Sequence, residues 1–399
     1  MNINAIRSHF PALDRRYNGL PVAYFDAPGG TQVPRQVAEA MSDYLFHHNA
    51  NTHWMYPTSA ETDAIILSAR ETLADFVNGA PGEIAFGANM TTLTFHLART
   101  LGRMWSAGDE VIVTELDHHA NVAPWRALEI DRGIVVRTAR MQCDSAQIDY
   151  EHLEQLVTPK TKLIAVGAAS NSVGTVNDLG RVAAIARAAN ALFFVDAVHL
   201  APHALLDVQA IGCDFLACSA YKFYGPHIGI LWGRFELLDT LPFPKLLPAP
   251  DTAPERAETG TQNHEGIAGA AAAVDFVASF GDGATRREKL AHFFAGAHQE
   301  GMRLTGILWN ELSAIERLRL FGPPPTALRT PTISFTVEGL HADDVSRALA
   351  ARGVFASSGD FYAATVCERF NVDALLRVGC ACYTTEEEVG RLVEGVRAL

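Results

Sequence analysis

The sequence predicts an α/β protein: a mostly parallel sheet covered by helices on both faces, followed by a small α+β unit. Three observations predict it. Between residues 83 and 233, short near-continuous apolar runs alternate with helix-length segments, the pattern of parallel strands buried on both faces. After Phe235 the texture changes to a proline-rich, irregular stretch, Leu241 to Pro254, and then to long helices. The last segment, Thr332 to Leu399, reads strand, helix, short strand, loop, strand, helix.

Composition bounds the function. The 399 residues are enough for two domains around a large core. Apolar residues make up 48% and charged residues 19%, which excludes disorder. The formal net charge is −13 with no Lys/Arg block, which argues against nucleic acid or an anionic membrane as partner. Met1 to Phe10 has no apolar h-region and no apolar run reaches membrane length, so the expectation is a cytoplasmic enzyme. The six cysteines (143, 213, 218, 367, 380, 382) form no C-x-x-C pair and read as reduced thiols. No metal is expected.

Taken in order, residues 1 to 16 are a short helical segment and Val22 to Asp26 a strand. Gly29 and Gly30 follow, either letting backbone approach a ligand or making an ordinary turn. A helix from Pro34 to Phe46 leads to a polar, aromatic loop, Asn49 to Pro57, and a helix from Ala60 to Val77. Glu83 to Phe86 is a strand. Gly87-Ala88-Asn89-Met90-Thr91-Thr92 then opens a helix to Leu101, suited to capping or to an anion. Strands at Glu110 to Val113, Val135-Val136 and Thr161 to Val166 alternate with helices at Asn121 to Arg132, Tyr150 to Val157 and Leu179 to Ala189. A strand ends at Asp196, and two more flank Lys222, at Phe215 to Cys218 and Ile228 to Gly233. Helices at Ile267 to Phe280 and Ala284 to Glu311 follow. The last unit carries helices at Ala342 to Arg352 and Thr385 to Leu399 and a strand at Leu375 to Gly379.

In such sheets ligands gather at the carboxyl ends of the strands. Asp117-His118-His119, Asn171, and Asp196 with His199 all sit at such ends. Lys222 lies between two buried strands, walled by Tyr221, Phe223 and Tyr224. Burial lowers an amine's pKa and makes it a nucleophile, whereas a lone lysine on a tight turn would simply face water. A lysine with an upstream aspartate at a strand end is the pairing that pyridoxal 5′-phosphate (PLP) demands, the aspartate serving the pyridinium nitrogen.

The motifs around these residues resemble one family. Ser219-Ala220-Tyr221-Lys222-Phe223-Tyr224-Gly225-Pro226 resembles the Ser-Gly-His-Lys-x-x-Gly-Pro signature of fold-type I, class V PLP enzymes. Glu115 to Trp125, Ser170 to Thr175, and Glu258-Thr259-Gly260-Thr261-Gln262-Asn263 resemble segments of the cysteine desulfurase and selenocysteine lyase group. The resemblance runs nearly end to end. It implies a fold-type I transferase with a mostly parallel seven-stranded sheet. The large PLP-binding domain would span 17–283, and residues 1–16 with 284–399 would form the small domain.

The resemblance also implies roles. Lys222 would bind the cofactor covalently and carry the Cα proton, and Asp196 would pair with the ring nitrogen. His118, rather than His119, would stack on the ring, and His199 would donate near the ring oxygen. Met90, Thr91, Ser219 and Tyr221 would hold the phosphate. Thr261 would reach the phosphate of a partner subunit, implying a homodimer with shared active sites. Arg377, assisted by Asn171, would bind the α-carboxylate of a small amino-acid substrate near Gly29 and Gly30; a surface ion pair is the other reading of Arg377.

One loop departs from the resemblance. SUF-type desulfurases carry Arg-x-Gly-x-x-Cys-Ala where this chain reads Ser357-Ser358-Gly359-Asp360-Phe361-Tyr362-Ala363. A phenol cannot accept sulfane sulfur, which needs a thiolate. The sequence therefore points to Cα deprotonation and C–S β-elimination without a persulfide relay. Tyr362 would be a general acid, a substrate contact or a pocket-closing aromatic. Aminotransfer or epimerisation on the same scaffold, a desulfurase using Cys367, and a non-catalytic scaffold are the alternatives.

Overall fold

Residues 2–399 are described by a computed structural model. Seven strands form the large sheet: β1 (Ile84–Gly87), β2 (Glu110–Thr114), β3 (Val135–Ala139), β4 (Thr161–Gly167), β5 (Leu192–Asp196), β6 (Phe215–Ser219) and β7 (Gly229–Gly233). Their spatial order is β1-β7-β6-β5-β4-β2-β3. Only β7 runs against its neighbours, pairing antiparallel with β6 and β1. The mostly parallel, seven-stranded α/β architecture is thus the one the sequence predicts.

Alternation along each strand divides the core between the two faces. Ile84 and Phe86 of β1 and Ile164 and Val166 of β4 point into one cluster. Ala85, Leu163 and Ala165 point into the other, against Trp125 and Leu97. On the first face, the helix His264–Ala278 packs between the helices Arg35–Asp43 and Pro57–Val77. Its alanines and glycines permit this closeness; a Cβ on Gly269 would sit 2.7 Å from Met41 Cγ.

A four-stranded antiparallel sheet follows: β8 (Leu318–Phe321), β9 (Thr332–Val337), β10 (Ser357–Gly359) and β11 (Leu375–Gly379), ordered β8-β9-β11-β10. The helices Arg286–Ser313, Ala342–Ala351 and Glu386–Arg397 bury its other side through Leu308, Leu349 and Leu392. The N-terminal segment crosses to this unit. Ala23–Tyr24 pairs in parallel with Val354–Phe355, and Asp26 bridges to Gly379.

Several local expectations change. Val135-Val136 extends to Ala139, because Arg137 and Thr138 lie on an edge strand that need not be apolar. The helix expected from Asn121 begins at Ala123, after a 3-10 turn at His119–Asn121. The helix from Pro34 becomes Arg35–Asp43 followed by a π turn, Tyr44–His48. The expected strand Val22 to Asp26 is ladder-paired only at Ala23–Tyr24. β8 was not expected, and β10 lies within the stretch read as a loop. Among the described residues, no helix is long and apolar enough to cross a membrane.

Candidate active site

The chain leaves β2 for β3 on one side and runs from β4 toward β7 on the other, opening a crevice at the carboxyl ends of β2 and β4. Asp117 closes its floor. Its Oδ1 accepts the Gly167 N–H at 2.5 Å, and its Oδ2 accepts the Thr114 N–H at 3.1 Å and hydroxyl at 2.8 Å. Burial nevertheless raises this carboxyl to about 6. Above it lies a cavity of about 620 Å³.

Asp196, the last residue of β5, lines that cavity. One oxygen accepts the Val198 N–H at 2.9 Å; the other has no partner in the chain. Burial raises the carboxyl to about 7, with Asp117 adding to the rise and Lys222 opposing it. Lys222 ends a single 3-10 turn between β6 and β7 and is 8% exposed. Its Nζ donates to the carbonyls of Pro28 at 2.5 Å and Gly29 at 3.0 Å. Burial, with Arg377 adding, lowers the amine to about 7. So Gly29 bears on the site through its backbone. Gly30 packs closely on the Tyr221 ring: a Cβ there would lie 3.3 Å from it, and the ring would have to shift by a few tenths of an ångström.

One wall is the start of the helix Met90–Gly102, directly after β1. The Met90 N–H donates to Ser219 Oγ at 3.0 Å, and Thr91, Thr92 and Tyr221 line the same end. A Cβ on Gly229 would lie 2.7 Å from Asn89 Cα, so only glycine lets β7 pass this loop. On another wall, the Nδ1 of His118 accepts the Ala120 N–H at 2.9 Å. Burial, followed by Lys222 and Arg377, lowers this imidazole to about 4, which keeps it neutral. His199 is buried and its Nε2 lies 3.1 Å from Thr330 Oγ1 and 3.2 Å from Thr332 Oγ1.

Arg377 projects from β11 and is 4% exposed, which removes the surface ion-pair reading. It donates to the Asn171 carbonyl at 2.8 Å, and its Nε is buried with no partner. Burial lowers the guanidinium to about 9 despite the opposing charge of Asp26. Its CZ stands 3.9 Å from the centre of the Phe361 ring. The Nδ2 of Asn171 donates to the Phe361 carbonyl at 2.9 Å, while its Oδ1 is buried and unpartnered.

Thr261 and Tyr362, like Gly29, Gly30 and Arg377, do not line the cavity. Thr261 lines a separate cleft with Arg70, Glu255 and Leu246. The Tyr362 side chain is 74% exposed, its ring 5.5 Å from that of His118. Its carbonyl instead accepts the His119 N–H at 2.7 Å. Phe361 and Tyr362 both adopt left-handed backbone, φ 56° and 57°, strain that such latches must hold. Sequence reading placed Asp117 at a ligand-gathering strand end without giving it a role, and missed His227, which lines the cavity beside Tyr221. It also missed Phe361 as the partner of Arg377.

These groups fit PLP. An open carboxylate oxygen, a half-neutral amine and a helix N-terminus share one cavity, and unpartnered atoms of Asn171 and Arg377 lie beside it. Asp196 could face the ring nitrogen, Lys222 the aldehyde carbon, and Thr91 and Ser219 the phosphate. No cysteine lines the cavity. Burial raises the thiols of Cys213, Cys218, Cys367, Cys380 and Cys382, that of Cys367 to about 11. Among the described residues no cluster of His, Cys, Asp and Glu is arranged to hold a metal.

Comparison with known proteins agrees with the architecture. A cysteine desulfurase of Serratia proteamaculans is 34% identical, covering 100% of this chain and 98% of the relative. A probable cysteine desulfurase of Streptomyces coelicolor is 33% identical over 99% of this chain and 96% of its own. Among solved structures, the apo cysteine desulfurase from Thermococcus onnurineus NA1 superposes with a TM-score of 0.89 at 26% identity, covering 99% of this chain and 97% of that one. The cysteine desulfurase CsdA from Escherichia coli gives 0.86 at 27% identity, covering 100% and 98%. The sequence matches the aminotransferase class-V family over residues 23–392. The chain therefore belongs to the aminotransferase class-V family, as a PLP-dependent, cysteine desulfurase-like enzyme.

Proposed function

We infer that this enzyme is a lyase acting on a sulfur-containing α-amino acid, which it deprotonates at Cα and cleaves at the Cβ–S bond without passing sulfur to a cysteine. One observation carries the reading: the loop beside the cavity brings Phe361 and Tyr362, and no thiol lines the cavity. PLP, when bound, supplies the electron sink that acidifies the Cα–H. Arg377 binds the substrate carboxylate through its free Nε edge, with Asn171 alongside. Phe361 covers the guanidinium face and keeps water from it. Lys222, whose amine is half neutral near pH 7, takes the Cα proton. Asp196 would hold the cofactor at its ring nitrogen, and His118, kept neutral by burial, would flank the ring without adding a second positive charge. The enzyme works as a homodimer in which Thr261, away from its own cavity, serves the partner's.

For cysteine the balance is cysteine plus water to pyruvate, ammonia and hydrogen sulfide. Incubating the cofactor-loaded enzyme with cysteine, cystine and cysteine S-conjugates tests the reading. Pyruvate and ammonia in equal amounts from at least one of them supports it. Alanine as the product would instead be desulfuration through a thiol such as Cys367, and conversion of the cofactor to its amine form would be aminotransfer. Either result contradicts the lyase reading.

A further inference from the structure

We propose that His227 is a phosphate-binding residue of the cofactor site, donating an imidazole N–H to the PLP 5′-phosphate. The inference rests on the PLP cofactor and not on the lyase reading. A phosphate monoester carries a charge of about −1.5 to −2 at neutral pH and needs several donors and preferably a cation. The helix N-terminus beside it is partly spent. The Met90 N–H is taken by Ser219 Oγ and the Thr92 N–H by Asn89 Oδ1, leaving Thr91.

Cations are scarce as well. No arginine lines the cavity, and Lys222, its one lysine, is held by the carbonyls of Pro28 and Gly29. His118 already accepts the Ala120 N–H, and His199 is engaged with Thr330 and Thr332. That leaves His227, an exposed residue that lines the cavity and whose ring nitrogens are not engaged within the chain.

The antiparallel course of β7 puts it there. β7 begins, rather than ends, at the ligand edge of the sheet, with Gly229 paired to both Ser219 and Gly87. His227 stands two residues before Gly229, which itself passes close to Asn89, and lines the same cavity as Asn89 and Met90. Its ring stacks on Tyr221 at 4.9 Å and 12°, which fixes the plane in which an N–H can point.

The test compares PLP with pyridoxal, which has the ring and aldehyde but no phosphate, by titrating each into apoprotein. His227→Ala should weaken PLP about tenfold or more, the size of a charge-assisted hydrogen bond, and leave pyridoxal affinity unchanged. His227→Gln should recover part of the loss. In the native protein, the His227 imidazole signals should shift on adding PLP and not on adding pyridoxal, a readout that needs no variant. Unchanged PLP affinity in His227→Ala would overturn the proposal. So would equal losses for PLP and pyridoxal, which would reduce His227 to a support for Tyr221, and so would imidazole signals indifferent to PLP.

Discussion

The carbonyl of Tyr362 accepts the backbone N–H of His119 at 2.7 Å, while the Tyr362 side chain stands 74% exposed. The residue in the loop position of interest thus reaches the site by its backbone, and its phenol makes no hydrogen bond in the chain. Tyr362→Phe should leave kcat/KM within about twofold, as for a surface substitution. Tyr362→Pro cannot adopt φ 57° and also loses the N–H that donates to Asp360 Oδ1 at 2.9 Å, so it should break the latch and cost far more. Steady-state kinetics on both variants separates a phenol that acts from a backbone that holds.

Arg377 has an unpartnered Nε in a buried setting, with the Phe361 ring against its face. Lys in its place carries charge but loses the planar fork and the stack. Arg377→Lys should raise KM by about 10- to 100-fold, the loss of one or two charged hydrogen bonds, with a smaller change in kcat. PLP affinity should stay within about twofold, because Arg377 does not line the cofactor cavity. An unchanged KM would remove Arg377 from substrate binding.

Burial holds the Lys222 amine at about 7, well below its ordinary 10.5. Only the neutral amine attacks an aldehyde. PLP capture by apoprotein should therefore accelerate as pH rises through about 7 and then level off. A rate still climbing toward pH 10 would place Lys222 in an environment like water. Lys222→Ala should abolish the visible absorbance of the lysine-bound cofactor at every pH.

Much of the large sheet was legible, and the reason is burial. β4 and β6 are covered on both faces, so Thr161–Gly167 and Phe215–Ser219 had to be nearly continuous apolar runs. Edges and short strands lack that constraint. Arg137 on β3 can ion-pair with Glu110, and β8 alternates Leu, Arg, Leu, Phe over four residues, which is too short to read. In the site, Asp196 was visible because it closes a buried strand, and Lys222 because it lies in the short turn between two buried strands. Nothing in sequence shows that the carbonyls of Pro28 and Gly29 hold Lys222, because they lie nearly 200 residues away along the chain. Phe361 over Arg377 was hidden because Phe361 lies in an irregular loop whose left-handed backbone, not its spacing from β11, sets where the ring falls. His227 was hidden because its place depends on β7 running antiparallel.

Arg70 and Glu258 form a buried, two-pronged pair at 3.0 and 3.1 Å, and Glu258 also accepts the Phe86 N–H at 2.8 Å. The pair ties β1 to the segment that carries Thr261. Removing one member strands a charge, so Arg70→Met should cost about 3–5 kcal/mol in denaturant unfolding. Arg70→Met with Glu258→Leu should be less destabilised than Arg70→Met alone. If the double variant were the weaker, the pair itself would be the source of stability.

Whether any cysteine of this enzyme carries sulfur during turnover is the most direct question. Cofactor-loaded enzyme is mixed with excess cysteine, quenched with an alkylating agent, and its cysteine peptides are weighed by mass spectrometry. With no thiol lining the cavity and Cys367 buried and raised to about 11, every cysteine should appear as the plain thioether while pyruvate accumulates. A stoichiometric extra sulfur on Cys367, or on any other cysteine, would contradict the account.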